Sequence, residues 1–575
     1  MAPSLLVVFG LILVLPAPGE RAGGAPGVAA AEPIAVLGDW LQLYFQGKLD
    51  LTGSKQRLRG RNAPMRAKDF VSITSGLFPD QDPERWSHEA ELEKLCGVVA
   101  ALNTAASAKS LLEVAAVGLD QREYSAPMNP VLVRQTAEKH LASLPAEGRQ
   151  PVLDLASAAA TGVPLRAAAL RALGAFRDEL YRPALEAGLA ERRLELRQAA
   201  AHGLARSELA TAVPALADQL LNEADAPTRI AMIDALTAIA QKHGAAVAER
   251  DRRRALSAVL ATLGKLGWNV DLAALDHLRL VRSVDTVPVL IRLLAGEAEP
   301  VKAKDPNRSA LVPFRAHELL TSLTGASYPA SQPDQWQAWW DRLRDTFTLA
   351  ESRPLAGKAA DAATRTGSSF FGVPVRGSRV LFVVDASGSM DQEWGPGETK
   401  FAVARRELRG AVEKLAPDSA FALVVFGDRA DSWRDALAPA TQANKDAFYK
   451  ELDKLQIGGS TNVWAGLAMA LKLQSIEHNA RYGTQVDEIF VLSDGAPTVG
   501  DIVRPEQILA TLTESNRISR VRINTIYIET PRGGRGRGGR PGGGGGRGGM
   551  SGAELMKQIA ERNGGLFLRP EPPKR

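Results

Sequence analysis

Three short apolar runs near the carboxyl end, each unbroken by a polar residue, restrict the fold more than anything else in this chain. They are Val380–Val384, Phe421–Phe426 and Ile489–Leu492. A run of that length without alternation suits a strand buried on both faces. Arg522–Glu529 and the short Gly565–Leu568 add two further strands, and Asp431–Trp433 reads as the start of an edge strand. Between and beyond them, 401–415, 445–455, 464–473, 505–512 and 553–562 read as helices. This alternation predicts an open, doubly wound, Rossmann-like α/β sheet over 376–575, entered from a linker and edge strand at 346–375.

Five oxygen-bearing side chains lie where such a sheet places its binding residues, just past strand ends or in a Gly-rich loop. Asp385, Ser387 and Ser389 follow the first run, Thr461 follows Gly458-Gly459-Ser460, and Asp494 sits in Ser493-Asp494-Gly495. The set holds hydroxyls and carboxylates, with no Cys or His. Such hard donors suit Mg²⁺, with Mn²⁺ or Ca²⁺ as alternatives, rather than Zn²⁺ or Cu²⁺. Only two of the five are anionic, so a bound dication would keep charge and favour a carboxylate from another molecule. Asp385 or Asp494 alone is explained equally well as a helix cap or an acceptor for loop amides; the whole constellation is not. The neighbouring loop 391–398 reads as solvated, and Asp428, Asp431 and Asp435 read as surface charge.

Asp385-x-Ser387-x-Ser389, Thr461 at 76 residues after Asp385, and Asp494 another 33 on resemble the von Willebrand factor type A (VWA) family, over roughly 376–570. Phe421–Phe426 and Gly458–Thr461 look most like bacterial members and the inter-alpha-trypsin-inhibitor heavy-chain branch. The resemblance implies a metal-ion-dependent adhesion site, usually with Mg²⁺, held by Asp385, Ser387, Ser389, Thr461 and Asp494. It also implies that Thr461 joins the metal when a ligand is bound, and that the ligand is a protein presenting an Asp or Glu carboxylate.

The amino-terminal half has a different grammar. Residues 88–345 are rich in Ala and Leu with helical periodicity. Arg166–Leu173, Arg197–Leu204 and Arg229–Leu236 echo one another at offsets of 31 and 32 residues, each opening on Arg and closing on Leu. Val213-Pro214 and Val287-Pro288 mark helix starts, where Pro needs no backbone donor. Two-helix units of this length resemble HEAT repeats, which stack because no single unit buries its apolar face. The expected product is a short solenoid with a concave face open to a partner, or else a helical bundle that only supports the next domain. Trp336, Trp339 and Trp340 share one helix face and read as a cap on the last repeat. Residues 32–87 carry little signal beyond a helix near 39–46.

Residues 1–31 read as a signal peptide: an apolar core at Leu5–Leu15, then small residues ending at Ala29-Ala30-Ala31. The core is too short to span a bilayer, and no later segment is long and apolar enough. The first basic residue is Arg21, so an uncleaved amino-terminal anchor is the alternative. Export to the periplasm or beyond is the expectation. Cys96, the sole cysteine, cannot form an intrachain disulfide and reads as a buried thiol. Five arginines and twelve glycines crowd into 531–549, which predicts a disordered insertion. Those arginines account for the whole formal charge of +5, so the remainder is balanced. With no aromatic residue to stack on bases, the tract does not read as a nucleic-acid site.

No catalytic constellation is visible. There is no HExxH or GxSxG, and Gly395–Lys400 lacks the GK[ST] ending of a phosphate loop. The chain therefore reads as a non-enzymatic, exported adhesion or protein-binding molecule with its helical repeats as scaffold or second binding surface. The competing reading is a cytoplasmic adaptor for an AAA+ ATPase in complex remodelling or metal chelation.

Overall fold

The computed structural model describes residues 28–46, 88–119, 130–295, 309–350, 367–472, 486–529 and 550–572. The apolar core of the expected signal peptide and the Arg/Gly tract lie outside these residues.

Fifteen helices among the described residues precede the sheet: α1 Val28–Phe45, α2 His88–Ala101, α3 Ala105–Ala115, α4 Pro130–Ala142, α5 Ala146–Ser157, α6 Val163–Ala175, α7 Arg182–Leu189, α8 Leu194–Ser207, α9 Val213–Asn222, α10 Ala226–His243, α11 Glu249–Leu260, α12 Trp268–Leu280, α13 Thr286–Ala295, α14 Leu311–Thr324 and α15 Pro333–Leu343. Helix α1 runs through the expected cleavage point after Ala31 and buries Leu37, Trp40 and Tyr44 beyond it, against α2 and α3. From α4 onward the helices form two rows. One row is α4, α6, α8, α10, α12 and α14, each packed on the next; the other is α5, α7, α9 and α11, then α13 and α15. The repeated small residues explain the tight stacking. A Cβ added to Gly174 on α6 would lie 1.9 Å from the carbonyl oxygen of Gly203 on α8, a separation only Gly permits. Trp336 is fully buried at the far end, edge-on to His317, Tyr328 and Trp339.

The carboxyl-terminal unit is a sheet covered on both sides. Strands β3 Arg379–Asp385, β6 Ala420–Phe426, β9 Glu488–Ser493, β10 Arg522–Tyr527 and β11 Phe567–Leu568 run parallel in the order β11-β10-β9-β3-β6. Two short strands, β7 Ala430–Ser432 and β8 Ala438–Pro439, pair antiparallel with β6. Period two divides β3 between two cores. Val380, Phe382 and Val384 pack under α16 Lys400–Glu413 and α17 Gln442–Lys454. Leu381 and Val383 face α18 Val463–Lys472, α19 Pro505–Ser519 and α20 Gly552–Arg562, in a core continuous with that of the helical rows. The expected edge strand near 370–375 is a separate hairpin of β1 Ser369–Phe370 and β2 Val373–Pro374. Phe371 and Gly372 turn it at positive φ, so it leaves the main sheet and lies on α16. A second small hairpin, β4 Glu393–Gly395 with β5 Glu398–Thr399, occupies part of the loop read as solvated.

The first helical row packs in part against the carboxyl-terminal unit. It covers α19 and the amino ends of β3, β9 and β10. Asn269 of α12 donates to the Ser519 carbonyl at 2.6 Å, and Ser309 donates to Asp487 at 3.0 Å. The guanidinium groups of Arg376 and Arg522 both lie over the ring of Phe314 on α14, 4.2 and 5.4 Å from its centroid. Arg520 reaches Asp234 of α10 and Asp276 of α12. The expected open face is thus partly covered by the chain's own carboxyl-terminal unit, and a cavity of about 1100 Å³, lined by Asp276, Arg279 and Arg315 on one side and Arg517 and Arg562 on the other, remains between them.

Candidate metal centre

Strand β3 lies between β6 and β9, so successive crossovers leave it in opposite directions. Ligand sites of open α/β sheets form at such a switch, outside the carboxyl ends of the strands. Asp385 ends β3 and Asp494 follows β9, which places both there. Asp385 is fully buried; its Oδ1 accepts from the Ser387 amide at 2.8 Å and its Oδ2 from the Ser493 hydroxyl at 2.6 Å. The Ser387 and Ser389 hydroxyls are 3.1 Å apart, and Ser389 donates to Asp494 Oδ1 at 2.7 Å. One continuous network thus joins four of the five candidates across two strands.

Thr461 arrives on a loop laid over the first. The Gly388 amide donates to the Gly459 carbonyl at 3.0 Å and the Gly458 amide to the Ala386 carbonyl at 2.8 Å. Gly459 has φ +76°, and a Cβ there would lie 2.4 Å from the Asp428 carboxylate, so Gly is required at this crossing. The Thr461 hydroxyl lies beside Gly495, where an added Cβ would meet it at 3.5 Å. Asp428, read from sequence as surface charge, braces this loop: its carboxylate accepts from the Ser460 amide at 2.7 Å, and its carbonyl accepts from Asn462 at 3.1 Å.

Lys400 is the residue the sequence reading missed. Thr399 caps α16 by accepting from the Ala402 amide, so Lys400 opens the first turn. Its side chain is 1% exposed, and its ammonium lies 2.5 Å from Asp494 Oδ2 and 3.1 Å from Gln392 Oε1. The sequence signal was slight: one Lys at a predicted helix start, fifteen residues past Asp385.

Burial pushes the Asp385 carboxyl up to about 6. Hydrogen bonds from Ser493 and Ser387 restrain that rise, and the charge of Asp494 adds to it. A carboxylate in this position gains from a nearby cation. Two carboxylates and three hydroxyls brought together past the carboxyl ends of β3 and β9 fit a hard divalent ion, and no soft donor stands among them. Ser387, Ser389 and Thr461 would hold it with Asp385 and Asp494, and it would supply a Lewis-acidic attachment point for an anionic group.

The fold is an open α/β sheet with hydroxyl and carboxylate donors gathered at its switch point. Residues 380–496 match the family model of the von Willebrand factor type A domain, and this part of the chain is a VWA domain. Inter-alpha-trypsin inhibitor heavy chain H1 of Mesocricetus auratus is 30% identical over 140 residues, 24% of this chain and 15% of that protein. Heavy chain H4 of Homo sapiens is 31% identical over 146 residues, 25% of this chain and 15% of that protein. The match thus spans about 15% of the length of these curated relatives. Among solved structures, a von Willebrand factor type A protein from Catenulispora acidiphila aligns with 34% of this chain and 38% of its own, at 19% identity and TM-score 0.25.

Proposed function

We propose that this chain is a non-enzymatic protein-binding molecule that captures an acidic group of a protein partner through a divalent cation, Mg²⁺ in the first instance, held by Asp385, Ser387, Ser389, Thr461 and Asp494. The observation that carries the reading is the Asp385–Ser387–Ser389–Asp494 network, which gathers oxygen donors from two strands at the switch point. The helical rows act as a fixed support for the VWA domain rather than as a second reader of partners. The apolar amino-terminal run supports an exported location, and no described helix is long and apolar enough to cross a membrane. Catalysis is disfavoured by the surroundings: His478 is the only histidine after residue 317, so no imidazole base belongs to either metal-site loop.

The test is a pull-down from extracytoplasmic extract with the full chain, in Mg²⁺ and in EDTA. Capture in Mg²⁺, loss in EDTA and recovery when Mg²⁺ is restored are expected. Equal capture of the same partner in both buffers would contradict the metal bridge.

A further inference from the structure

A buried ammonium is costly to keep, and Lys400 places its charge at the metal site. It is 1% exposed, and its side-chain partners among the described residues, Asp494 and Gln392, lie in the site or on its rim. A Met of similar volume would fill the same space without desolvating a charge. Asp494 meanwhile divides its two oxygens: Oδ1 takes the Ser389 hydroxyl and Oδ2 takes the ammonium. The carboxylate is thereby held in one orientation, with half of its lone pairs turned away from the Ser387–Ser389 hydroxyls.

We propose that Lys400 is a built-in counter-charge that makes the site selective for anionic ligands; this rests on the metal reading above. With a dication in place, Asp385 and Asp494 together would cancel its formal charge, so the residual positive charge expected from the sequence has to come from another group. Lys400 restores one positive charge to the assembly. The loaded site then carries a net +1 that an external carboxylate neutralises, so cation and anion bind as a pair. The cost falls on the metal by itself, since Lys400 opposes entry of a cation into a site that would otherwise be doubly negative. The pairing geometry makes Lys400 a positioning and specificity residue, with no contact to ligand required.

Calorimetry with the full chain tests this, using wild type, Lys400→Gln and Lys400→Met, with Mg²⁺ as titrant in the absence and presence of excess acetate. Both variants are expected to bind Mg²⁺ about tenfold or more tighter than wild type, since a Coulomb repulsion at short range is removed. Acetate should tighten Mg²⁺ binding in wild type and have little effect in either variant. Lys400→Gln keeps a hydrogen-bond donor beside Asp494, so agreement of the two variants assigns the effect to charge. A change in Lys400→Met alone would overturn the counter-charge role in favour of a hydrogen-bonding one. Unchanged or weaker Mg²⁺ binding in both would also overturn it, while leaving the metal reading standing. Uptake by the variants but not by wild type, with or without acetate, would sink the metal reading for the native site and the counter-charge role with it. If no form takes up Mg²⁺, both fall.

Discussion

Glu514→Gln is expected to lower the unfolding free energy of the intact chain by about 3 kcal/mol, because it strands a group of buried guanidinium groups between the two halves. Glu514 lies on α19, facing the first helical row. Its Oε1 is 3.1 Å from Arg134 of α4 and 3.7 Å from Arg171 of α6. Arg171 and Arg206 both reach Glu138, at 2.7 and 2.8 Å, and Arg517 approaches from α19 and contacts His202. Four cations therefore share two carboxylates in a region largely closed to water. Burial alone would raise the Glu514 carboxyl, but Arg517, Arg171, Arg134 and Arg206 outweigh it and hold it at about 2. The folded value lies below the ordinary 4.5, so this stabilisation is complete above pH 4.5 and drains away as pH falls towards 2. Urea midpoints followed by tryptophan emission should show wild type losing stability across that window and Glu514→Gln losing much less of it. An acid limb of equal steepness in both proteins would show that the cluster does not couple the halves.

The second large effect concerns Asp494. Asp494→Ala removes a metal-site carboxylate, but it also leaves the Lys400 ammonium buried beside a void. Breaking a buried pair from one side typically costs about 3–5 kcal/mol. In EDTA, Asp494→Ala should therefore melt well below wild type, and Asp494→Ala/Lys400→Met should recover most of the loss, a strongly non-additive cycle. Additive melting shifts would mean that the ion pair seen between α16 and the β9 end contributes nothing. The result also bears on how the site is disabled in binding work: Asp494→Ala confounds loss of metal with loss of fold, whereas Ser→Ala exchanges keep the Lys400–Asp494 pair.

The parts of this architecture legible in the sequence are those written locally. Unbroken apolar runs mark β3, β6 and β9 because both faces of each strand are covered, and Asp385 and Asp494 are readable because they touch those runs directly. What escaped depends on contacts between distant segments. Lys400 enters the site only because the Thr399 cap sets the start of α16. Asp428 is exposed like Asp431 and Asp435, as surface charge should be, but its contact with the Ser460 amide joins segments 32 residues apart and is not written locally. Helix α19 runs on to Ser519, past the polar stretch after Leu512 where the sequence reading ended it, and Glu514, Arg517 and Arg520 in and beside that extension meet the helical row. The same row was expected to stand open, since a repeat pattern shows that an apolar face exists but not what covers it. Helical periodicity likewise cannot show that Trp268, Phe314 and Asn269 are spent on the neighbouring unit.

Magnesium titration calorimetry on the purified full chain, alongside Ser387→Ala/Ser389→Ala, tests the central claim most directly. The account predicts saturable single-site uptake by wild type, none by the double variant, and melting temperatures in EDTA that differ little, because Lys400 still pairs with Asp494. The same heats in both proteins, or no uptake by wild type, would contradict it.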